Sequence, residues 1–405
     1  MKKILLLTKY FPPEPGAGSN RAYEHAKRWA NMGVEVTVLT CFPHYPDGII
    51  PAKYRGHNYY EEEIENIKII RTYTYATPNK GKIKRSIGFF SFMFSSILQG
   101  YKKIGKPDVI IASSPPITVG VSALILSKIK KIPFIFEVRD LWPESIVQLG
   151  EIRNKYLIKI MEYLEKKIYM NAFKIVSVTD SFVPVIESKG IKKDKISIIK
   201  NGVNLNLFIP QQKSEDIIHE LKMENKFLIG YFGTFGLSHA LHKVLESAIM
   251  LKKNKSIHFF FIGDGAEKEN LLLFKEKNEI ENATFLNTIT REKLIEYYTI
   301  MDIMIVPLKN IPLFETVIPS KIFEIMAVGK PIILAVGGES KVMIRESESG
   351  IVVPPEDPKA MKEAIEKLFS NRALADFYGQ NGRRFVEDNF DREKLAKNYL
   401  DLIFN

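Results

Sequence analysis

Residues 319–333 read Pro319-Ser320-Lys321-Ile322-Phe323-Glu324-Ile325-Met326-Ala327-Val328-Gly329-Lys330-Pro331-Ile332-Ile333, and this stretch decides the fold. Pro319 and Ser320 carry helix-start chemistry, Gly329 stands where a left-handed C-cap belongs, and Lys330-Pro331 leads into an apolar run ending at Ala335. The spacing predicts a short helix feeding a buried strand. Lys321 and Glu324 share one helix face, with Ile322, Phe323, Ile325 and Met326 available to pack on the other. A lysine beside free backbone N–H groups favours an anion, and a carboxylate one turn on accepts from hydroxyl groups, so phosphate plus ribose is the simplest ligand with both features. Taken alone, the pair reads first as an ordinary intrahelical contact worth a few tenths of a kcal/mol.

On both sides of this stretch strand and helix keep alternating. In the same half, apolar runs at 227–232, 257–262, 283–286, 303–307 and 351–353 alternate with helical stretches near 239–252 and from 291, and helices at 357–369 and 391–404 close the chain. The other half opens with a strand at 4–8, a Pro/Gly-rich loop at 9–19, a helix at 20–32 and a strand at 34–40. It continues through 109–112, an apolar segment at 117–129, 134–138, a helix near 154–170 and 175–179. Such alternation implies parallel sheets covered on both faces. The Asn/Gly/Pro-punctuated passage at 197–212 marks a boundary between an N-terminal domain (1–200) and a C-terminal one (201–385), with a last helix (386–405) packing back on the first. The expected class is α/β: two doubly wound, Rossmann-like domains facing across a cleft at the carboxyl ends of their strands.

A chain of 405 residues suits two domains, and 45% hydrophobic with 26% charged residues excludes disordered and fibrous classes. Lys and Arg number 58 against 47 Asp and Glu, and the net charge of +11 suits nucleotides, nucleic acid or an anionic membrane surface. The single Cys41 excludes an intrachain disulfide and, without a Cys/His cluster, argues against structural zinc. The apolar run after Met1-Lys2-Lys3 is too short for a signal peptide and reads as a strand, and no apolar run is long enough to span a bilayer. A reducing cytoplasm fits best.

Gly16-Ala17-Gly18-Ser19-Asn20-Arg21 begins like a dinucleotide fingerprint, but Arg21 fills the third glycine place and the second strand ends in Cys41 rather than an acid, so NAD is disfavoured. What remains is a glycine turn beside Arg21, with Glu14 before it, suited to approach a bound anion or simply to turn. Glu137-Val138-Arg139-Asp140-Leu141-Trp142-Pro143-Glu144 puts four charges at a strand exit, where Arg139 or Asp140 can orient an acceptor hydroxyl or form a structural ion pair. Gly233-Thr234-Phe235-Gly236 and Gly263-Asp264-Gly265 each follow a strand and precede a helix, as phosphate or nucleoside turns do. No metal site is expected: His239 and His242 lack a third ligand, and no Asp-x-Asp holds a divalent ion on a diphosphate. Neither a nucleophile elbow nor a P-loop occurs. Residues 79–107 hold seven Lys/Arg and no acid around an apolar core, so Lys82, Lys84, Arg85, Phe89, Phe90, Phe92 and Phe94 are candidates for contact with an anionic bilayer, against the alternative of a buried helix with solvated ends.

With these pieces in this order, joined by Pro12-Pro13-Glu14, Asn201-Gly202-Val203 and Val352-Val353-Pro354-Pro355, the chain resembles the retaining GT-B glycosyltransferases of family 4 over essentially its whole length. Within them it is similar to the bacterial capsule and O-antigen transferases that include N-acetyl-L-fucosamine transferases. The resemblance implies that the C-terminal domain holds a nucleotide sugar, usually UDP-linked, and the N-terminal domain the acceptor, with no divalent metal or other cofactor. It places Glu324 on the ribose, within a donor set of Gly233, Thr234, Gly263, Asp264, Gly265, Pro319, Ser320, Lys321 and Ile322. The family's partner glutamate falls at Thr316, with Glu315 one place off. The usual diphosphate-binding Arg and Lys lack clear counterparts after Gly233, where Thr234 and His239 stand, and Lys321 is the candidate to supply that charge. Family members leave the acceptor proton to the departing phosphate, so no strong enzymic base is required.

The expected activity is therefore sugar transfer from a UDP-sugar to a polyprenyl-diphosphate-linked saccharide, by a protein peripheral on the inner face of the cell membrane and not binding nucleic acid. Arg139, Asp140 and Lys321 are the candidate catalytic groups, and Glu14, Gly16, Gly18 and Arg21 the acceptor or phosphate loop. Two alternatives stay open: a UDP-sugar epimerase or hydrolase of the same architecture, and a catalytically silent nucleotide-sugar-binding subunit.

Overall fold

The computed structural model describes residues 1–405 except Pro46, Asn79, Lys80, Leu149, Glu151, Asn405 and the side chain of Lys82. The chain divides into two compact units, Met1–Asn201 with Arg392–Asn405, and Gly202–Asp391.

The first unit begins β1 (Lys3–Thr8), α1 (Ala17–Asn31), β2 (Glu35–Cys41), β3 (Tyr59–Ile64), β4 (Ile67–Thr72) and α2 (Lys82–Lys103). It continues β5 (Val109–Ser114), α3 (Thr118–Lys130), β6 (Phe134–Val138), α4 (Glu144–Gln148), α5 (Lys155–Asn171), β7 (Lys174–Ser177), α6 (Phe182–Ser188) and β8 (Ile196–Ile198). The strands lie in the order β3-β4-β2-β1-β5-β6-β7-β8. β1, β5 and β6 are almost wholly buried, as central parallel strands with both faces covered require. The sheet departs from the expected all-parallel one at its edge, where β3 runs antiparallel to β4. Glu65 and Asn66 join these strands in a two-residue turn, both with positive φ, the geometry that matches strand twist. Glu61, Glu62 and Glu63 charge this outer strand, which discourages edge-to-edge pairing. On one face of the sheet α3 packs between α2 and α5. Elsewhere in this unit the last helix of the chain, Arg392–Phe404, lies on α1: the Trp29 indole donates to the Ala396 carbonyl at 3.1 Å, and Tyr399 meets Trp29 and His25 edge-on.

The second unit runs α7 (Glu215–Glu220), β9 (Phe227–Phe232), α8 (Leu241–Leu251), β10 (Ile257–Ile262), α9 (Lys268–Lys277), β11 (Ala283–Leu286), α10 (Arg291–Ile300) and β12 (Ile303–Pro307). Then come α11 (Lys321–Ala327), β13 (Ile332–Ala335), α12 (Gly338–Glu346), β14 (Gly350–Val352), α13 (Pro358–Ser370) and α14 (Arg372–Asn389), before the chain returns to the first unit as α15 (Arg392–Phe404). Its six strands are all parallel, in the order β11-β10-β9-β12-β13-β14, with an apolar core on each face.

Residues 319–333 form the short α11 and lead into β13. Gly329 takes the left-handed φ of +70° at its end, as a C-cap glycine should. Ser320 is helical and its side chain caps nothing, so the start of the helix is not secured as its sequence suggests. Instead α14 holds α11 in place: Arg383 donates to the Ala327 and Phe208 carbonyls at 2.6 and 2.8 Å, and Gly379 passes so close that a Cβ there would lie 2.1 Å from the Gly329 oxygen.

Candidate functional site

In the second unit the site is built around Lys321. β9 delivers Gly233 at its carboxyl end, and a Cβ on this glycine would stand 3.0 Å from the Lys321 ammonium, so the missing side chain makes the room that the cation occupies. Among the described residues the buried ammonium has no hydrogen-bond partner. It lies 3.8 Å from the centre of the Tyr231 ring, a cation–π contact that only partly replaces lost water. Burial pulls Lys321 down to about 7, with Glu324 opposing the shift. His239 stands edge-on to the same tyrosine and is held near 3, first by burial and then by the Lys321 charge, so it is neutral. Glu324 accepts from the Tyr298 hydroxyl at a long 3.4 Å. An ammonium without an acceptor, next to a carboxylate that can take hydroxyl protons, is an arrangement suited to an anion carrying a polyol.

The glycine turns do a different job from the one expected of them. The N–H groups of Gly233, Gly263 and Gly265 are bonded to the Ile262 and Leu286 carbonyls and the Asp264 carboxylate. They are therefore not the donors that cradle a phosphate. Gly263 and Gly265 have φ of +151° and +156°, and a Cβ on either would strike the Gly233 or Phe235 carbonyl at 1.9 or 2.5 Å. Their service is to let two loops meet. The Thr234 carbonyl accepts from Tyr231, and Asp264 is exposed. Ile322 is fully buried, so its side chain is core, and Pro319 serves as the acceptor for its N–H. Thr316 ends a 3-10 turn (Pro312–Thr316) with its hydroxyl on the Leu313 carbonyl. The exposed Glu315 lies against Gly337 and Gly338, where any Cβ on Gly338 would strike the Glu315 carbonyl at 1.8 Å. Sequence reading missed Tyr231 and Tyr298; the one signal was at Tyr231, a polar-tipped aromatic in the apolar run 227–232.

In the first unit Arg139 leaves β6 and donates through Nε to the Ser114 carbonyl at 2.7 Å. Its guanidinium lies over Gly18 in the first turn of α1, where a Cβ would sit 2.3 Å from Nη1. Asp140 is half-buried, and burial lifts it to about 6 against the pull of Arg139. Gly16 ends the preceding loop at φ +119° with open space around it.

Arg21 and Glu14 are bound into the fold and do not form the expected acceptor or phosphate loop. Arg21 is buried, bridges Glu137 at 2.8 Å and donates to the Ile199 and Lys200 carbonyls and to Asn201. Burial acts to raise Glu137, yet Arg21 outweighs it and holds the carboxyl at about 2. With its donors spent this way, Arg21 is a clamp between α1, β6 and the end of β8, not an anion ligand. Glu14 is buried too, accepting from the His44 and Tyr45 N–H groups at 2.9 Å. It forms with Cys41 and His44 the single such metal-capable trio among the described residues. Burial pushes the thiol up to about 12, it donates to the Lys9 carbonyl and the Lys9 charge lies near; a protonated thiol and a neighbouring cation oppose a bound metal ion, although the imidazole, held down at about 4 by burial, is in the neutral ligating form. Glu144, the last charge of the strand-exit motif, shares the Lys189 ammonium with Glu165 and is structural as well.

The α2 candidates also separate. Phe92 is fully buried beneath Lys9 and cannot reach a surface partner, and Phe89 is half-buried against Trp142. Phe90 and Phe94 are exposed, as is Lys84, while Arg85 is half-buried and the Lys82 side chain lies outside the described residues. Among those residues no helix is long and apolar enough to cross a membrane.

Two family profiles divide the chain almost as the units do. Residues 18–207 match Glycosyltransferase Family 4, and residues 212–385 match Glycosyl transferases group 1. The chain belongs to these glycosyltransferases. A putative colanic acid biosynthesis glycosyl transferase, WcaI of Escherichia coli, is 22% identical over 99% of both chains. The capsular polysaccharide biosynthesis glycosyltransferase CapM of Staphylococcus aureus is 26% identical over 80% of this chain and 83% of its own. Among solved structures, Anabaena Alr3699/HepE in complex with UDP-glucose aligns with a TM-score of 0.73 at 15% identity, covering 100% of this chain and 99% of that one. The glycosyltransferase thus has the GT-B architecture of two Rossmann-like domains, and its relatives include enzymes of capsule and surface-polysaccharide synthesis.

Proposed function

We propose that this glycosyltransferase moves an N-acetylated amino or deoxyamino sugar, with retention, from a UDP-sugar to a polyprenyl-diphosphate-linked saccharide in capsule or O-antigen synthesis. The observation that carries the donor assignment is the Lys321 ammonium, buried beside Gly233 without a hydrogen-bond acceptor. A departing diphosphate gains charge as the glycosidic bond breaks, and a pre-placed cation out of bulk water stabilises that charge more than water does. Glu324, one helical turn away, accepts from the ribose hydroxyls. On this reading Arg139 and Asp140 orient the acceptor, Asp140 being ionised only above about pH 6. The leaving phosphate takes the acceptor proton, so neither a strong base nor a metal is needed. Phe90 and Phe94 of α2, flanked by Lys84 and Arg85, bring the protein to the inner face of the membrane, where a lipid-linked acceptor is found.

The deciding experiment incubates the protein with a panel of UDP-sugars, with and without a polyprenyl-diphosphate saccharide, and measures UDP release and product. Release that requires the acceptor and yields an α/β configuration unchanged from the donor is the expected result. Acceptor-independent release makes the protein a hydrolase or epimerase, and UDP binding without turnover makes it a silent subunit.

A further inference from the structure

α5 has a side that nothing in the first unit covers. Its inner side is tied down: Glu165, Ile168 and Tyr169 are buried, Ile168 comes so near Gly120 of α3 that a Cβ there would lie 2.9 Å from it, and Tyr169 packs on Phe136. On the opposite side Tyr156, Ile160, Tyr163 and Met170 are 82%, 56%, 60% and 56% exposed. They fall at i, i+4, i+7 and i+14, a single stripe along the helix, and Lys167 fills the i+11 place with its ammonium 5.4 Å from the Tyr163 ring. α2 presents the same pattern through Ile83, Ile87, Phe90, Phe94, Leu98 and Tyr101, all exposed. The two helices flank α3 in one layer on one face of the sheet. Apolar surface this continuous marks a binding face.

Charge selects the occupant. Lys155, Lys159 and Lys166 run along one flank of the α5 stripe, and of the helix's two acids Glu165 is buried and engaged by Lys189, leaving Glu162 as the exposed one. α2 has five basic residues and no acid. A second copy docked symmetrically on this face would set lysines against lysines, which costs affinity, whereas an anionic headgroup layer pairs with the exposed Lys155, Lys159 and Lys166. Tyrosines beside lysines also suit the boundary between headgroups and acyl chains, where an amphipathic ring and a long cationic stem each have a wet and a dry end.

We infer that α5 is a second membrane-contact helix, which lies with α2 in the headgroup–acyl boundary of an anionic leaflet. The inference rests on the membrane contact proposed above and gives it an orientation. One interfacial helix leaves a protein free to roll about that helix; two helices on either side of α3 define a plane, and so fix how the strand ends bearing Arg139 and Asp140 stand above the bilayer.

The test uses the full-length protein and vesicles of phosphatidylethanolamine with phosphatidylglycerol, compared with vesicles of phosphatidylcholine alone. Ile160→Ser with Tyr163→Ser is expected to lower co-sedimentation with the anionic vesicles more than about tenfold. Lys159→Gln with Lys166→Gln, at exposed positions that leave the fold intact, is expected to lower it about fivefold per lysine on anionic vesicles and little on neutral ones. Phe90→Ser with Phe94→Ser is the α2 reference. Wild-type binding lost in the α2 variant but kept in both α5 variants overturns the α5 inference and leaves the membrane reading standing. Wild-type protein that binds neither vesicle overturns both. A dimer in sedimentation velocity that the α5 variants dissociate, with vesicle binding unchanged, assigns the face to a second copy and also overturns the inference.

Discussion

A cation with a tyrosine ring on one side and no acceptor on any other costs stability until an anion arrives, and Lys321 is in that state. Its folded value near 7 lies below the ordinary 10.5, so the unfolded chain binds more protons between those values and stability contributed here rises with pH across that window. Lys321→Met removes the cost: unfolding at neutral pH should require about 1–3 kcal/mol more, while UDP binding is lost. A bound diphosphate restores the proton, so calorimetry of the wild-type protein in buffers of different ionisation enthalpy should register proton uptake at about pH 8. Equal heats in all buffers would remove Lys321 from the diphosphate. Glu324→Ala should weaken UDP binding by roughly 1.5–3 kcal/mol through loss of charge-assisted hydrogen bonds, with Tyr298→Phe as the control for local packing. At this scale the sequence disclosed which residue types were present but not which were engaged. Lys321 and Arg21 each stand beside a glycine-bearing turn; one is left without a partner and the other is consumed by partners at sequence separations of 116 and 179 residues.

At the scale of elements, Arg21 and Glu137 form a buried pair that fastens α1 to β6 and to the chain leaving β8. Arg21→Met leaves a carboxylate buried without its counter-charge and should cost about 3–5 kcal/mol in a urea titration, most of which Glu137→Leu in the same chain recovers. Because Glu137 is held near 2, its contribution is complete above about pH 4.5 and disappears as the pH falls toward 2. An Arg21→Met protein of normal stability but low turnover would return Arg21 to the anion site. The alternation of strands and helices was legible because its periods are local. The β3–β4 hairpin was not, since Glu65-Asn66 lacks the glycine that usually signals such a turn. Nor was α14, which carries Gly379 and Gly382 in its interior. In the fold they are the points where α14 approaches α11 and Ser349, so what looks like a defect in the helix is the condition for its packing.

For the whole molecule, the candidate donor groups belong to Gly202–Asp391 and the candidate acceptor groups to the unit containing Met1–Asn201, so the two functions should separate under mutation. Arg139→Ala is expected to leave UDP affinity within about twofold of wild type while transfer falls about 100-fold or more, since a positioning group acts on the reacting geometry. Parallel loss of UDP affinity would place Arg139 with the donor instead. A chelator added to the transfer assay should leave turnover unchanged, as a cation supplied by Lys321 predicts; restoration of a chelated enzyme by a divalent ion would overturn the metal-independent reading. What the amino-acid sequence determined by itself was the class of fold, the two doubly wound domains and which charged residues stand at strand ends, because hydrophobic period and turn chemistry act over a few residues. Tertiary structure alone decided which of those charges remain available. Burial and pairing join Arg21 to Glu137, Glu14 to the His44 backbone and Lys189 to two carboxylates, and they leave Lys321 under a tyrosine ring; each outcome depends on distances between chain segments that no local pattern encodes.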